Sequence, residues 1–513
     1  MFAALARLPL LVIVIGISTI GMMLPAAYAL TTGDTRSAQS FLLWMLLSGL
    51  LALFIAISMA GRERSERPRR HLQSLLVLFF VLPFLLAVPF HQAVPTTTYL
   101  NAYVEMVSSL TTTGATLFDD PGRLPNAVHL WRATVGWIGG LFMWVAAIAV
   151  LAPMSLGGFE VRARSASTFS PNAGKHNAGV SQITHIADLS YRLRIYATRL
   201  FPVYVALTAT LWLGLIIVGE GPFIALNHAM STLATSGISP VGGPSGGTAG
   251  YGGEVMMAIF FIFAVTRLAF SRDWQGANLR AFGRDPEVHM ALALVLIVPL
   301  FLFGRHFLGA VSVESDMTIW SGLTSLWGSI FTVLSFLTTT GFESAAWSAS
   351  QDWSGLGTPG LILLGLAITG GGVATTAGGV KLLRVYALYK HGKRELEKLV
   401  HPHSVAGSGG EARHLRRRGA YMAWVFFMLM AISVAAVMAA FSFTGESFEQ
   451  AVILTVAALT TTGPLAQVAG VEPISYGALS FSGKAVLSVA MVLGRLETIA
   501  IVALMGPDVW HRR

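Results

Sequence analysis

The segment Ser108-Ser109-Leu110-Thr111-Thr112-Thr113-Gly114-Ala115-Thr116 recurs in altered form at 231–239 (STLATSGIS), 335–343 (SFLTTTGFE) and 457–465 (AALTTTGPL). Each copy runs from helix-permissive, mostly apolar residues into a Thr/Ser-rich turn closed by one glycine: Gly114, Gly237, Gly341 or Gly463. These glycines lie about 100 to 125 residues apart, the length of a whole structural unit and not of a short solenoid repeat. Four copies in one polypeptide predict four walls around one axis. Glycine after a row of hydroxyl residues admits positive φ, so that successive carbonyl oxygens can point the same way. A cation filter requires this, because carbonyls must replace the water stripped from the ion. One Thr-Thr-Gly turn could be an ordinary loop; four in equivalent places are not explained that way.

Outward from these turns, composition fixes the solvent. The 513 residues are 54% hydrophobic and 12% charged, against about 25% charged in soluble chains, and mean hydropathy is +0.66. A soluble domain is excluded, and an all-α polytopic membrane protein is expected. Apolar runs at 8–30, 41–60, 72–90, 128–153, 196–218, 254–270, 288–304, 356–369, 420–443 and 483–505 mostly approach the roughly 20 residues that cross a bilayer core as a helix. They predict ten transmembrane helices. Arg7, the first apolar run and Ala27-Tyr28-Ala29 also have the form of a secretory signal; a retained first span is the expectation carried forward. The chain has no cysteine, and its 13 histidines show no ligand spacing such as HExxH, so neither thiolate chemistry nor a metal centre is expected.

Charge gives the orientation. Of the 34 Lys and Arg, 28 fall at the two termini and in 61–71, 154–199, 267–287 and 381–418. Arg36, Arg123, Arg132 and Arg305 fall on the other side, and Lys484 and Arg495 inside a span. The positive-inside rule places both termini and the basic segments in the cytoplasm. The net charge of +9 is thus a topological signature, and no nucleic-acid partner is expected. Acidic residues divide almost evenly, which leaves the outer face net negative and concentrates cations there.

All four glycine turns fall on the outer side, each after an apolar stretch too short to span: about 99–111, 222–235, 321–338 and 447–460. Such a stretch fits a re-entrant helix, tolerated at membrane depth where the returning chain lines a polar cavity. Ser447-Phe448-Glu449-Gln450 is a capping-box pattern, and Gly221-Pro222 an N-cap and first-turn pair. Each unit reads helix, pore helix, filter strand, helix. Residues 1–60 supply two extra transmembrane helices, 61–160 pore repeat one, 161–286 repeat two, 287–400 repeat three with an intramembrane loop, and 401–513 repeat four.

At these residues the chain resembles the Trk/Ktr/HKT superfamily of potassium transporters, and within it the TrkH-type uptake subunit. The resemblance covers nearly the whole chain. It is carried by WIGGLFMWVAAIAVL from Trp137, SQITHIADLSYRLRIY from Ser181, GGGVATTAGGVKLLR from Gly370 to Arg384, and MVLGRLE from Met491 to Glu497. The last two are the most specific, and the two extra N-terminal helices match the TrkH type and not the eight-helix Ktr type. The resemblance implies a pseudo-fourfold pore in a bacterial cytoplasmic (inner) membrane, K+ as the transported ion, and homodimers in which each chain has its own pore. It implies filter carbonyls from Thr111, Thr112, Thr113 and Gly114; from Ala234, Thr235, Ser236 and Gly237; from Thr338, Thr339, Thr340 and Gly341; and from Thr460, Thr461, Thr462 and Gly463. In related plant transporters a serine at the first filter glycine accompanies Na+ preference, so Gly114 implies K+. The second turn departs from the pattern: Ala-Thr-Ser-Gly stands where TrkH-like chains carry Ala-Thr-Gly-Gly, and Ser236 narrows the backbone choices there.

Gly370, Gly371, Gly372, Gly378 and Gly379 interrupt an apolar span. Small residues can serve close helix packing. Each glycine, however, costs a helix about 1 kcal/mol relative to alanine, so an unwound intramembrane loop is expected. The resemblance implies that this loop is a gate beneath the filter, with the Thr375 and Thr376 hydroxyls facing a water-filled cavity. Arg495 lies about ten residues before its span ends, roughly 15 Å deep at about 1.5 Å per residue. Arginine there costs about 2.5–3.5 kcal/mol and must face the pore or a partner. Glu497, two residues on, points to another side of the helix; a distant carboxylate or backbone carbonyls are the structural alternatives. The resemblance implies that Arg495 is a fixed positive charge below the filter. Glu105 and His228, nine residues before Gly114 and Gly237, are expected to anchor pore helices, and Lys484 to snorkel.

The 381–418 segment carries ten Lys or Arg and a flexible stretch at 405–410. Membrane lipid is one partner for such a segment; the resemblance implies another, a cytosolic TrkA-type regulatory ring that binds NAD or ATP. No GxGxxG on a βαβ unit and no P-loop occurs in the chain, so no nucleotide site is expected in it. An intramembrane enzyme would need a convergent nucleophile, base or metal set, which the few ionisable groups in the spans do not supply. The closer alternative to K+-selective uptake is a Na+-coupled or poorly selective cation symporter.

Overall fold

The computed structural model describes residues 10–59, 68–152, 189–266, 283, 285–311, 319–348, 360–401 and 417–496. Among the described residues every regular element is a helix. Helices α1 (Leu10–Gly21) and α2 (Met23–Thr32) form one apolar span, and α3 (Thr35–Ser58) returns beside it. Asp34 starts α3 by accepting the Ser37 N–H at 3.1 Å. Ala27-Tyr28-Ala29 lies inside α2, where the Tyr28 ring stacks on Phe223 at a centroid distance of 4.9 Å.

Four units follow. The first comprises α4 (Pro68–Ala93), pore helix α5 (Tyr99–Leu110) and α6 (Asn126–Ala146). The second comprises α7 (Leu189–Ile217), pore helix α8 (Pro222–Ala234), α9 (Gly250–Phe260) and the single turn α10 (Ile262–Val265). The third comprises α11 (Pro286–Val311), pore helix α12 (Ile319–Leu337), α13 (Gly360–Thr369) and, beyond an irregular loop, α14 (Leu382–Val400). The fourth comprises α15 (Arg417–Phe443), pore helix α16 (Phe448–Leu459), the single turn α17 (Leu465–Val468) and α18 (Phe481–Leu496).

Among the described residues seven helices are long and apolar enough to cross a bilayer: 11–32, 35–58, 74–93, 126–149, 192–217, 286–304 and 419–443. The other three expected spans are represented by α9 with α10, by α13 and by α18; their outstanding residues 267–270, 356–359 and 497–505 lie outside the described residues.

Capping explains where the pore helices begin. A helix start leaves N–H groups without intrahelical partners, and Thr98 takes one of them, from Asn101, at 3.3 Å. Pro222 follows Gly221 at the start of α8, where its missing N–H costs nothing. Ser447 and Gln450 form the reciprocal box that their spacing predicts. Once started, the pore helices become the core: every residue of α5 from Ala102 to Leu110 is buried. Burial also ranks the spans. Some 83% of the α6 span is enclosed by protein against 22% of α3, so α6 is central and α3 peripheral, exposing Leu46, Phe54 and Ile57 where lipid would lie. Trp131 of α6 ties the extra helices to the first repeat: its ring meets Phe41 edge-on at 5.7 Å and its Nε1 donates to Leu86 O at 3.2 Å.

Candidate functional site

All four pore helices stop in the same way. The second residue of each hydroxyl row, Thr112, Thr235, Thr339 or Thr461, sits in the left-handed region at φ 55°, 51°, 57° and 55°. Its N–H reaches back three residues, to Ser109, Thr232, Phe336 or Ala458. The next N–H, of Thr113, Ser236, Thr340 or Thr462, reaches back five, to Ser108, Ser231, Ser335 or Ala457, and these bonds span 2.8 to 3.3 Å. This is the two-bond helix stop usually built on glycine. A β-branched residue in that conformation is an outlier, costing on the order of 1–3 kcal/mol, and here it occurs four times at one equivalent position. The sequence reading assigned this conformational demand to the glycines alone. The available signal was the need of each helix end for a left-handed residue immediately before the returning chain.

The glycines that follow close the ring. An added Cβ on Gly114 would stand 1.9 Å from Ser236 O, and on Gly237 2.3 Å from Thr340 O. On Gly341 it would stand 2.9 Å from Pro464 Cγ, and on Gly463 2.1 Å from Ala115 N. Repeat one therefore abuts two, two abuts three, three abuts four, and four abuts one. Gly114, Gly237 and Gly341 also hold φ of 72°, 65° and 83°, which suits only glycine well. The buried hydroxyl rows are tied internally: Thr111 Oγ1 to Thr113 Oγ1 at 2.8 Å, Thr338 to Thr340 at 3.2 Å and Thr460 to Thr462 at 3.1 Å. In the second turn Ala234 offers no hydroxyl, and Ser236 Oγ meets Ser231 Oγ instead at 3.1 Å. That alanine packs against α6. A Cβ added to Gly140 of α6 would lie 2.9 Å from Ala234 Cα and 3.0 Å from its Cβ, so α6 approaches the second turn closely at a glycine–alanine contact.

Gly463 departs from the expected pattern. It lacks positive φ, its N–H donates to Thr113 O at 2.6 Å, and its carbonyl accepts from the buried Tyr476 hydroxyl at 2.8 Å. Pro464 supplies the reason, because a residue before proline is pushed to extended backbone. The chain then enters α17 and not a filter strand.

Polar residues pin the returning chains to the pore helices. The buried Glu105 accepts from Thr116 Oγ1 at 2.9 Å and Leu117 N at 2.6 Å, and pairs with Arg132 of α6 at 2.9 Å. His228 Nε2 meets Ser239 Oγ at 2.9 Å. Both are anchors, as expected. The third repeat uses Thr332 in the equivalent place, accepting Ser344 N at 3.2 Å. Glu254 of α9 was missed by the sequence reading: it accepts from Ser344 Oγ, Ala345 N and Trp327 Nε1, each at 2.8 Å. Its partners belong to the next repeat, so no local motif marks it.

Beneath the turns the chain from Gly370 to Lys381 is non-helical and largely buried. Gly370 and Gly379 hold φ of 72° and 76°. Gly372 N donates to Ala264 O at 2.9 Å and Val373 N to the buried Glu287 carboxylate at 2.8 Å, while Leu382 N returns to Gly371 O at 2.9 Å. The loop touches the ring directly. Gly378 N donates to Thr339 Oγ1 at 2.7 Å, and a Cβ on Gly378 would lie 2.1 Å from Thr460 O.

The Thr375 and Thr376 hydroxyls donate to Gly372 O at 2.8 Å and to Leu233 O at 3.1 Å. Unwinding frees backbone carbonyls that must find donors; Thr375 serves one within the loop, Gly372 O, whereas Thr376 reaches across to the last turn of pore helix α8. Lys381 Nζ bonds Ala377 O for the same reason. Arg495 Nη1 donates to Thr376 O at 2.7 Å, while its Nε and Nη2 have no hydrogen bond among the described residues. A backbone carbonyl is thus its partner; Glu497 lies outside the described residues. Arg495, Thr375 and Gly378 border one cavity with Ala147 and Leu151, which belong to a π-helical turn extending α6.

Residues 289–508 match the model of the TrkH family, described as cation transport protein. The chain is similar to the Trk system potassium uptake protein TrkH of Salmonella typhimurium, 31% identical over 497 residues that cover 91% of this chain and 96% of that protein. It is also similar to the Trk system potassium uptake protein TrkH of Escherichia coli K12, 30% identical over 459 residues and 88% of each. In fold it is similar to the crystal structure of the potassium transporter TrkH from Vibrio parahaemolyticus, with a TM-score of 0.76 at 24% identity over 100% of both chains.

Proposed function

Because the chain belongs to the TrkH family of cation transport proteins, we propose that it is a K+ uptake pathway of a bacterial cytoplasmic membrane and not an enzyme. The observation that carries this reading is the closure of four strained helix stops into one ring, each glycine abutting the next repeat. An ion entering from the net-negative outer face exchanges water for carbonyls of the Thr111, Ala234, Thr338 and Thr460 rows. The membrane potential drives it inward, supplying about 2.3 kcal/mol per 100 mV for one charge.

Below the ring, the Gly370–Gly379 loop is the gate and Arg495 the barrier. Two unit charges 4 Å apart at an effective dielectric of 20 repel by about 4 kcal/mol, more than 100 mV provides, so an arginine close to the ion path holds K+ back until the loop moves. The hydrogen bond from Arg495 to Thr376 O supports coupling the two. In the same reading the repeats divide at residues 60, 160, 286 and 400 and both termini are cytoplasmic. Chains pair as homodimers, and a cytosolic NAD- or ATP-binding TrkA-type ring docks on the basic 381–418 segment. The second turn keeps the same helix stop as the others despite Ser236, which favours selective uptake over a poorly selective symporter.

The test is ion flux into proteoliposomes with an imposed inside-negative potential. The expected result is K+ or Rb+ uptake that far exceeds Na+ uptake and needs no second ion gradient. Equal K+ and Na+ fluxes would remove the selectivity claim, and a strict requirement for a Na+ or H+ gradient would replace uniport by symport.

A further inference from the structure

The fourth turn is built differently from the other three, and the difference sits at the outer end of the ring. Pro464 Cγ would lie 2.8 Å from a Cβ on Gly237 and 2.9 Å from one on Gly341, so a single proline ring lies against the turns of repeats two and three. The preceding Gly463 abuts Gly114 and Ala115 of repeat one. The Gly463–Pro464 pair therefore touches all three other repeats at the level of their glycines. Its backbone is turned away from an ion: the N–H is bonded to Thr113 O and the carbonyl to the Tyr476 hydroxyl. Tyr476 is itself buried and fixed, since the adjacent Ser475 Oγ bonds Asp119 Oδ2 at 2.6 Å and Gly477 packs under Leu117 O.

We infer that Gly463, Pro464 and Tyr476 form an asymmetric outer collar in which the proline ring, and not a fourth glycine carbonyl, sets the width of the outermost ion position. This rests on the filter reading above. Three turns can offer a carbonyl at the glycine level, and the fourth offers an apolar wedge. An incoming ion then keeps part of its hydration on the proline side before it enters the hydroxyl rows. Tyr476 is a positioning residue: its hydroxyl, together with the Ala466 N–H at 3.2 Å, holds the Gly463 carbonyl off the axis, and Pro464 disfavours the helical backbone regions and keeps Gly463 extended.

The test compares wild-type protein with Pro464→Gly and Tyr476→Phe in proteoliposomes, measuring half-saturating external K+ and the K+/Na+ flux ratio per folded transporter. Pro464→Gly lets Gly463 take the conformation of its three counterparts and widens the mouth. The K+/Na+ ratio should shift by about fivefold, the scale of one neutral hydrogen bond gained or lost. Tyr476→Phe should shift both the half-saturating concentration and the K+/Na+ ratio in the same direction as Pro464→Gly while retaining ring packing. A structural role alone would lower the amount of folded protein and leave both quantities at wild-type values; that result in well-folded variants overturns the collar. A wild-type protein without selective K+ flux would instead overturn the filter reading itself.

Discussion

A hydroxymethyl group on Gly114 has nowhere to go: its Cβ would stand 1.9 Å from Ser236 O on a backbone at φ 72°. The neighbouring turn must yield, so Gly114→Ser, and likewise Gly341→Ser, should raise Na+ relative to K+ permeation. Reversal potentials in mixed K+ and Na+ check this, and unchanged values would contradict the filter assignment. Arg495 carries the complementary prediction. Arg495→Ala removes a buried positive charge held by Thr376 O, so K+ uptake per folded transporter should rise or escape partner control. Arg495→Lys keeps the charge but loses the planar fork and should be intermediate. Lower uptake by well-folded Arg495→Ala protein would contradict the barrier. At this scale the glycines and Arg495 stand out in the sequence because their chemistry is unusual in a span. The left-handed threonines do not, because a β-branched residue argues against that conformation even where a helix end calls for one.

At the scale of elements, the loop after α13 lies directly against the backbone of α10. Cβ atoms added to Gly371 and Gly372 would stand 2.6 Å from Ala264 O and 2.0 Å from Val265 O. Replacing both by alanine should change the open fraction while leaving ion preference nearly intact, as single-channel or flux recordings would reveal; altered preference with normal gating would move the loop into the filter. The pore helix of the first repeat depends on a different device, the enclosed Glu105–Arg132 pair. Arg132→Ala strands a buried carboxylate, a loss of about 3–5 kcal/mol. Thermal unfolding in detergent should show a lower midpoint, partly restored by adding Glu105→Gln; an unshifted midpoint would mean that the pair is dispensable. Helix starts were readable from local chemistry, as the Ser447–Gln450 box demonstrates. The acceptors of the Thr375 and Thr376 hydroxyls, Gly372 O in the loop itself and Leu233 O in another repeat, are not marked by any local pattern.

For the whole molecule, the fourfold design was legible because one turn pattern is written four times, and repetition at equal spacing carries information that a single Thr-Thr-Gly cannot. What the pattern could not convey is how the repeats meet. Glu254 reaches across to Ser344, and Pro464 wedges against Gly237 and Gly341, contacts that no sequence window contains. The central claim is that the four turns jointly hold the transported ion. Its most direct test is an anomalous-scattering map of the protein with Rb+ or Tl+ replacing K+. The account predicts density on the axis enclosed by Thr111–Thr113, Ala234–Ser236, Thr338–Thr340 and Thr460–Thr462, displaced by K+ and not by Na+. Ions found only elsewhere in the protein, or density that Na+ displaces equally well, would contradict it.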